Sequence, residues 1–404
     1  MVRIRQLTMG SPSRLFLSTR GLTSSMALVL ALYYTKLLGV EKRSILVFIM
    51  VSALILTVIF TSGISLTFRN RPAKSIQGED LTAYLSVILL GGFLVALLNC
   101  TLLVFYSQLK SEIPLSIYIV SFIYSFLACV NLGFQDALIA KGNLKLATFL
   151  DLTTIVIQGL CLVFFVFLDQ TSLFMSVTIS FVISYLLIVF ATISVFIQTE
   201  TIQANGLGQN IKSLLRSSKQ NQLFGIANGL ADRIDRFLVG FLLPLAFLAK
   251  YALITSMISF TRFLPEAFNR LLLIQHHEVP SSPKKEFNFR AYLLIGGAVI
   301  ALVFLSQIFI QIVFGDSWLL PINVVFIYAI QEVLRGVYQT KATRLVAEGK
   351  LILVSQSSLI LITGSIIFML LGISFFGLVG APLAMVIVYA ILLKVLNWKQ
   401  NVHR

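Results

Sequence analysis

Charge is what this 404-residue sequence has least of: 12% of its residues are Asp, Glu, Lys or Arg, and its 16 acids face 31 basic residues. With 58% hydrophobic residues and a mean hydropathy of +0.94, it cannot cover a soluble core with polar surface. Cysteine is scarce too. Cys100, Cys129 and Cys161 lie inside apolar segments without metal-type spacing, which excludes a thiolate site and reads as small core residues. Of the three histidines, His276 and His277 are adjacent, a poor metal site without further ligands, and are expected in a solvated loop. No phosphate-binding loop ending in Gly-Lys-Ser/Thr is present, which argues against an ATP-driven pump in this chain. A soluble acid-rich catalytic segment is missing as well.

What is present is apolar sequence in helix-length runs. A membrane helix needs about 20 apolar residues, and runs bounded by charge, Gly or Pro predict twelve. They cover 15–38, 44–67, 82–106, 115–137, 147–168, 172–197, 222–244, 246–273, 291–313, 319–340, 351–373 and 376–397. The basic start followed by "LTSSMALVLALYY" lacks a small-residue cleavage site and reads as a retained first helix. With the N-terminus inside, nineteen Lys and Arg fall on the inner loops and tails. Only Lys36, Lys42, Arg43, Lys110 and Lys250 fall outside. A basic face against anionic lipid explains the formal charge of +15 without nucleic acid as a partner.

The chain also repeats itself. "LIAKGNLKL" at 138–146 aligns with "LVAEGKLIL" at 345–353, an offset of 207 residues (345 less 138) that also carries Pro114 onto Pro321. A repeat of six spans keeps its orientation, so its copies are related by an axis along the membrane normal. The expected fold is therefore an all-α polytopic membrane protein of about twelve helices in two six-helix lobes. The lobes are 1–200 and 222–404, with a cytoplasmic linker over 201–221.

Against this background one stretch stands out. "GLADRIDRFLVG" puts Asp232, Arg233, Asp235 and Arg236 within an apolar run, and each charge at mid-membrane costs roughly 2.5–3.5 kcal/mol. These groups must face protein or water. Asp232 and Arg236 are spaced for an intrahelical pair, acid first. In the eighth span Arg262, Glu266 and Arg270 recur every four residues along one face, with Pro265 as a kink. Arg20 sits on the first span, and Glu332 with Arg335 repeats the idea more weakly on the tenth. Such charges either line a substrate path between the lobes or lock helices together. Guanidinium groups fork onto phosphate oxygens, so a pyrophosphate headgroup matches them. Tyr33, Tyr34, Tyr251, Tyr328 and Tyr338 are candidates for stacking on sugars or for anchoring at the membrane interface.

"TKLLGVEKRSILVFI", "FQDALIAKGNLKLAT" and above all "ADRIDRFLVGFLLPLAFLAKYALITSMISF" resemble the multidrug, oligosaccharidyl-lipid and polysaccharide exporter superfamily, and within it the Wzx-like flippases. The resemblance covers the whole length. It implies a multi-pass protein of the cytoplasmic membrane, not an enzyme, that moves undecaprenyl-pyrophosphate-linked oligosaccharide by alternating access for O-antigen, lipopolysaccharide or capsule synthesis. Membrane lipid, a polysaccharide polymerase and chain-length proteins are the implied partners. Arg20, Asp232, Arg233, Asp235, Arg236, Arg262, Glu266 and Arg270 are the candidate cavity residues. No cofactor is implied; a coupling ion, H+ or Na+, acting through Asp232 or Asp235 is one energy source, and consumption of the product outside is another. A multidrug antiporter or a flippase for a different lipid is the alternative, although the first span carries no carboxylate to couple a cation. Both termini are expected in the cytoplasm: a cytoplasm-active reporter fused at Arg404 should work, and activity only of an outside reporter there would overturn the twelve-span reading.

Overall fold

The computed structural model describes residues 11–69, 71, 76–110, 113–168, 172–199, 206–259, 289–348 and 350–402. Among these, twelve α-helices follow one another: α1 (Ser11–Arg69), α2 (Gly78–Lys110), α3 (Leu115–Ala140), α4 (Leu144–Leu168), α5 (Leu173–Thr199), α6 (Leu207–Ala231), α7 (Ile234–Leu242), α8 (Leu245–Ser259), α9 (Phe289–Phe314), α10 (Ile322–Ala347), α11 (Leu351–Phe376) and α12 (Gly380–Val402). All-helical structure is what lipid demands, since a helix satisfies its own backbone hydrogen bonds. Leu90, Phe164, Phe167, Ile312 and Phe375 stand exposed on its outside, apolar surface that only a bilayer covers.

The described helices map onto the expected spans with two differences, residues 260–273 of the eighth span lying outside the described residues. Spans one and two run on as α1, turning at Gly39, whose φ of 68° falls in the left-handed region that favours glycine. Span seven is instead split into α6 and α7. Among the described residues six stretches are long and apolar enough to cross a membrane; two of them, Gly21–Arg69 with 49 residues and Leu353–Asn397 with 45, suffice for two crossings each. The helix α6 is not among them because Lys212, Arg216, Lys219 and a run of Ser, Asn and Gln make it polar. It starts at Leu207, so most of the segment expected as a linker is helix.

The repeat is visible in the backbone. Leu115 to Ile322 and Ala140 to Ala347 are each 207 residues apart (322 less 115, 347 less 140), so α3 and α10 have the same bounds in register. Gly142, at φ 83°, ends α3 in a Schellman turn: Asn143 N–H reaches Leu138 O at 2.9 Å and Gly142 N–H reaches Ile139 O at 3.0 Å. The corresponding bond in the second copy, Lys350 N–H to Leu345 O, is again 2.9 Å. Pro114 and Pro321 precede the paired helices, where a missing N–H does no harm. We take α1 to α5 as the first lobe and α6 to α12 as the second, on the repeat in the sequence. The second half of α1 lies along α6 and α8 where the lobes meet.

Several polar groups inside the helices are satisfied locally. Thr35, Thr57 and Thr61 bond back to carbonyls one turn earlier. Asn99 joins three helices: its amide donates to Ser125 Oγ at 2.7 Å and Ser121 Oγ at 3.2 Å and accepts from Ser52 Oγ at 2.5 Å. Cys129 is buried in the same lobe, and all three cysteines are free. Interhelical hydrogen bonds in membranes contribute about 1 kcal/mol each, so Asn99→Ala should lower stability by about 1–2 kcal/mol, read as an earlier thermal midpoint in detergent; an unchanged midpoint would mean the network adds nothing.

Candidate functional site

The charged stretch is the break between α6 and α7. Arg233, at φ −137°, leaves the helical region, and its N–H turns to Leu230 O at 2.9 Å rather than continuing the ladder. Gly229 O is thereby orphaned, and the Arg233 side chain fills it, Nη1 donating at 3.0 Å. The N–H of Arg236 goes to Asp235 Oδ1 at 2.7 Å, which orphans Asp232 O; Arg236 Nη2 donates to that carbonyl. Two arginines thus plug the carbonyls that the break exposes, and Asp235 caps the new helix start, where an anion is favoured. At membrane depth an unsatisfied backbone group costs several kcal/mol, so these side chains are what allows the break.

The expected Asp232–Arg236 side-chain pair does not form, because the helix that would align the two ends at Asp232. Asp232 Oδ1 instead meets Arg335 Nη2 of α10 at 2.5 Å, and Arg335 Nη1 donates to Glu332 Oε2 at 3.3 Å. Arg335, only 3% exposed, is central to the second lobe rather than a weak echo. Asp235 is buried, accepts from Tyr251 Oη at 3.1 Å and lies 3.7 Å from Arg236 Nε. Tyr251, Tyr328 and Tyr338 are fully buried, not interface anchors; Tyr251 packs edge-on against Tyr328, and Tyr33 alone of the five named tyrosines is exposed.

Sequence reading missed Arg43, which it placed in an outer loop. The Gly39 turn folds it inward: the residue is 3% exposed, with its guanidinium 4.4 Å above the Tyr34 ring and within electrostatic reach of Arg236. Its Nε and Nη1 have no hydrogen-bond partner, and it has no carboxylate partner among the described residues. Tyr34 continues into an aromatic group of the first lobe, with Phe181 at 5.8 Å, then Tyr124 and Tyr185. Asp151 of α4 is near Tyr185, and Arg233 near Tyr124. Arg43 is thus within electrostatic reach of Arg236, and Arg233 of Tyr124, beside a buried aromatic group. The signal for Arg43 was the Gly39–Val40 step, a glycine bend short enough to leave no real loop. Arg262, Glu266, Arg270, His276, His277 and the Arg20 side chain lie outside the described residues.

No family model matches the sequence, and no curated protein does. By fold, the chain is similar to the lipid II flippase MurJ in an inward closed conformation, with a TM-score of 0.67 at 18% identity over 96% of this chain and 87% of that one. It is similar to an inward-facing multidrug resistance MATE family transporter of the MOP superfamily, with a TM-score of 0.65 at 13% identity over 96% and 97%. A third is a MOP superfamily transporter from Pyrococcus furiosus described by a binding pocket of reverse polarity, with a TM-score of 0.59 at 15% identity over 97% and 96%. The chain has the two-lobed fold of this superfamily, and the proteins so named are transporters and flippases, not enzymes.

Removing one member of a buried ion pair leaves its partner uncompensated, at about 3–5 kcal/mol. Arg335→Ala, which strands Asp232 beside Glu332, should lower stability by about that much; Asp232→Ala should cost less, because Glu332 still answers Arg335, and the double variant should fall well short of the sum. Additive losses in detergent melts would show that the two groups do not act as a pair.

Proposed function

We propose that the protein is a flippase for a lipid-linked oligosaccharide, taking a pyrophosphate-bearing headgroup through the space between the lobes while the prenyl tail stays in lipid. One observation carries this reading. Arg43 is a buried guanidinium with two donor nitrogens unused, within electrostatic reach of Arg236 at the α6–α7 break. Phosphate oxygens are the acceptors that such planar donors fit. Arg233 and Arg236 supply positive charge from the second lobe while capping their own backbone, and Asp232 and Asp235 are occupied by Arg335 and by Tyr251 with Arg236. Arg20, Arg262, Glu266 and Arg270 are assigned to the same path on their sequence positions.

Nothing in this role breaks a covalent bond. An anionic headgroup entering between Arg43 and Arg236 relieves the repulsion of two like charges held in a low dielectric, and the lobes rock around it. The aromatic group offers faces to sugar rings. The protein is assigned to the cytoplasmic membrane with both termini inside, supplying a polymerase and its chain-length partners with substrate.

A multidrug antiporter of the same fold is the second reading. Tyr34, Tyr124, Phe181 and Tyr185 with Asp151 nearby form the kind of surface that takes an organic cation. The face of Tyr34 is already covered by Arg43, which favours the anionic cargo.

The test is the sidedness of lipid-linked oligosaccharide in cells lacking the gene, read by enzyme access to each leaflet. Intact units should accumulate on the inner leaflet. Arg43→Gln should fail to clear them while keeping normal abundance, and Arg236→Ala and Arg262→Ala should also abolish export. Normal delivery to the outer leaflet, with loss of resistance to cationic drugs, would establish the second reading instead.

A further inference from the structure

Helix α6 has two unlike faces. One packs against the first lobe: Asn210 Nδ2 donates to Glu79 Oε2 at 3.3 Å, Leu214 is buried, Asn221 Nδ2 donates to Thr67 Oγ1 at 2.9 Å, and Gly225 and Gly229 lie against Ser62 and Val58. The stripe half a turn away begins with Lys212, Arg216 and Lys219, all exposed, and runs on at steps of three and four through Leu223 to Ala227 and Leu230, which are buried. A single helix face thus changes from cationic and exposed to apolar and buried.

The change falls at the membrane surface. Thr67 closes the second apolar run, so its bond sets Asn221 at the inner edge of the hydrocarbon. At about 1.5 Å per residue, Lys219 lies about 3 Å, Arg216 about 8 Å and Lys212 about 14 Å further inward. The headgroup layer is about 5–8 Å deep on each side, half the difference between a whole bilayer and its core. Lys219 and Arg216 therefore stand at headgroup depth, and Lys212, just below, can reach back along its own stem. Leu215, 43% exposed, adds an apolar side chain at the same level.

These three cations are not answered by protein. Helix α6 contains no Asp or Glu. On α2, Glu79 is turned to Asn210 on the packed face, and Asp80 pairs with Arg71 at 2.9 Å. The other inner cations of the second lobe differ in this respect: Arg344 and Lys350 each meet Glu348 at 3.0 Å, and Lys341 donates to Asn397 Oδ1 at 2.6 Å. A row of cations lying along the helix axis, rather than converging on one point, matches phosphates ranged beside the helix in a leaflet better than it matches one compact soluble anion.

We propose that Lys212, Arg216 and Lys219 form a binding site for the phosphate headgroup of acidic phospholipid in the inner leaflet, and that this lipid seats the inner end of α6. The inference does not rest on the cargo. It is tested with the full chain purified in neutral detergent and titrated with phosphatidylglycerol or phosphatidylcholine, bound lipid being counted by native mass spectrometry. Phosphatidylglycerol should bind the more tightly. Each cation removed should weaken it about fivefold, so Lys212→Gln, Arg216→Gln and Lys219→Gln together should cost about a hundredfold. Lys212→Arg with Lys219→Arg should retain the affinity, because the charge is kept.

The control is a set of equal charge elsewhere on the inner face, Lys341→Gln, Arg344→Gln and Lys350→Gln, which should leave binding nearly unchanged. Equal losses from the two sets would show that only net charge matters and would overturn the site. Equal binding of the two lipids would also overturn it. So would displacement of the lipid by inorganic phosphate at the same concentration, which would mark a site for a soluble anion. If the triple variant inserts poorly, Arg216→Gln alone carries the comparison, with unchanged affinity counting against the site. No cargo enters the titration, so a wrong cargo assignment fails the leaflet assay and leaves this result standing.

Discussion

A helix that breaks inside a bilayer exposes carbonyl oxygens that lipid cannot satisfy, and the second lobe is organised around one such break. At Asp232–Arg233 the chain turns out of helical geometry, and the two arginines that follow bend back onto Gly229 O and Asp232 O. Once they are there, their charge has to be answered, and Asp235 sits beside Arg236 with Tyr251 as its second partner. Asp232, left free by the loss of helical alignment, reaches α10 and ties the break to Arg335. Backbone and charge are thus settled by the same four side chains.

This arrangement joins two readings that the sequence leaves opposed, a charged wall and a lock between helices. The lock is real: Asp232–Arg335 and Asp235–Tyr251 hold α7 against α10 and α8. What the lock presents to the other lobe is cationic, because the carboxylates are turned to partners in their own lobe while Arg236 is within reach of Arg43. Under the proposed function, a surface made from capping groups is rigid in a way that loop arginines are not, which would suit a compact, doubly charged headgroup.

Most of the architecture could be read from apolar run lengths and the 207-residue repeat, since lipid allows few alternatives to helices of that length. Two places could not. Hydropathy shows where apolar runs stop, but one glycine with positive φ at Gly39 gives a turn with no loop, so Arg43 was assigned to solvent although it is buried. The four-residue spacing of Asp232 and Arg236 presumed an unbroken helix, and no Pro marks the break. The partner of Asp232 was named in the sequence reading but not paired with it, because contacts between distant helices leave no local pattern. The close approach at Gly225 and Gly229 went unremarked in the sequence, because it depends on Val58 and Ser62 opposite.

The Asp232–Arg335 pair also sets an order of assembly. The two residues are 103 positions apart (335 less 232), so the seventh span is made well before the tenth. Until Arg335 arrives, Asp232 stands in the bilayer without its counter-charge, at roughly 2.5–3.5 kcal/mol on insertion scales. The break therefore cannot settle as its helix emerges. The second lobe is settled only once α10 has been made, and α10 brings the charge that secures the lobe's first helices.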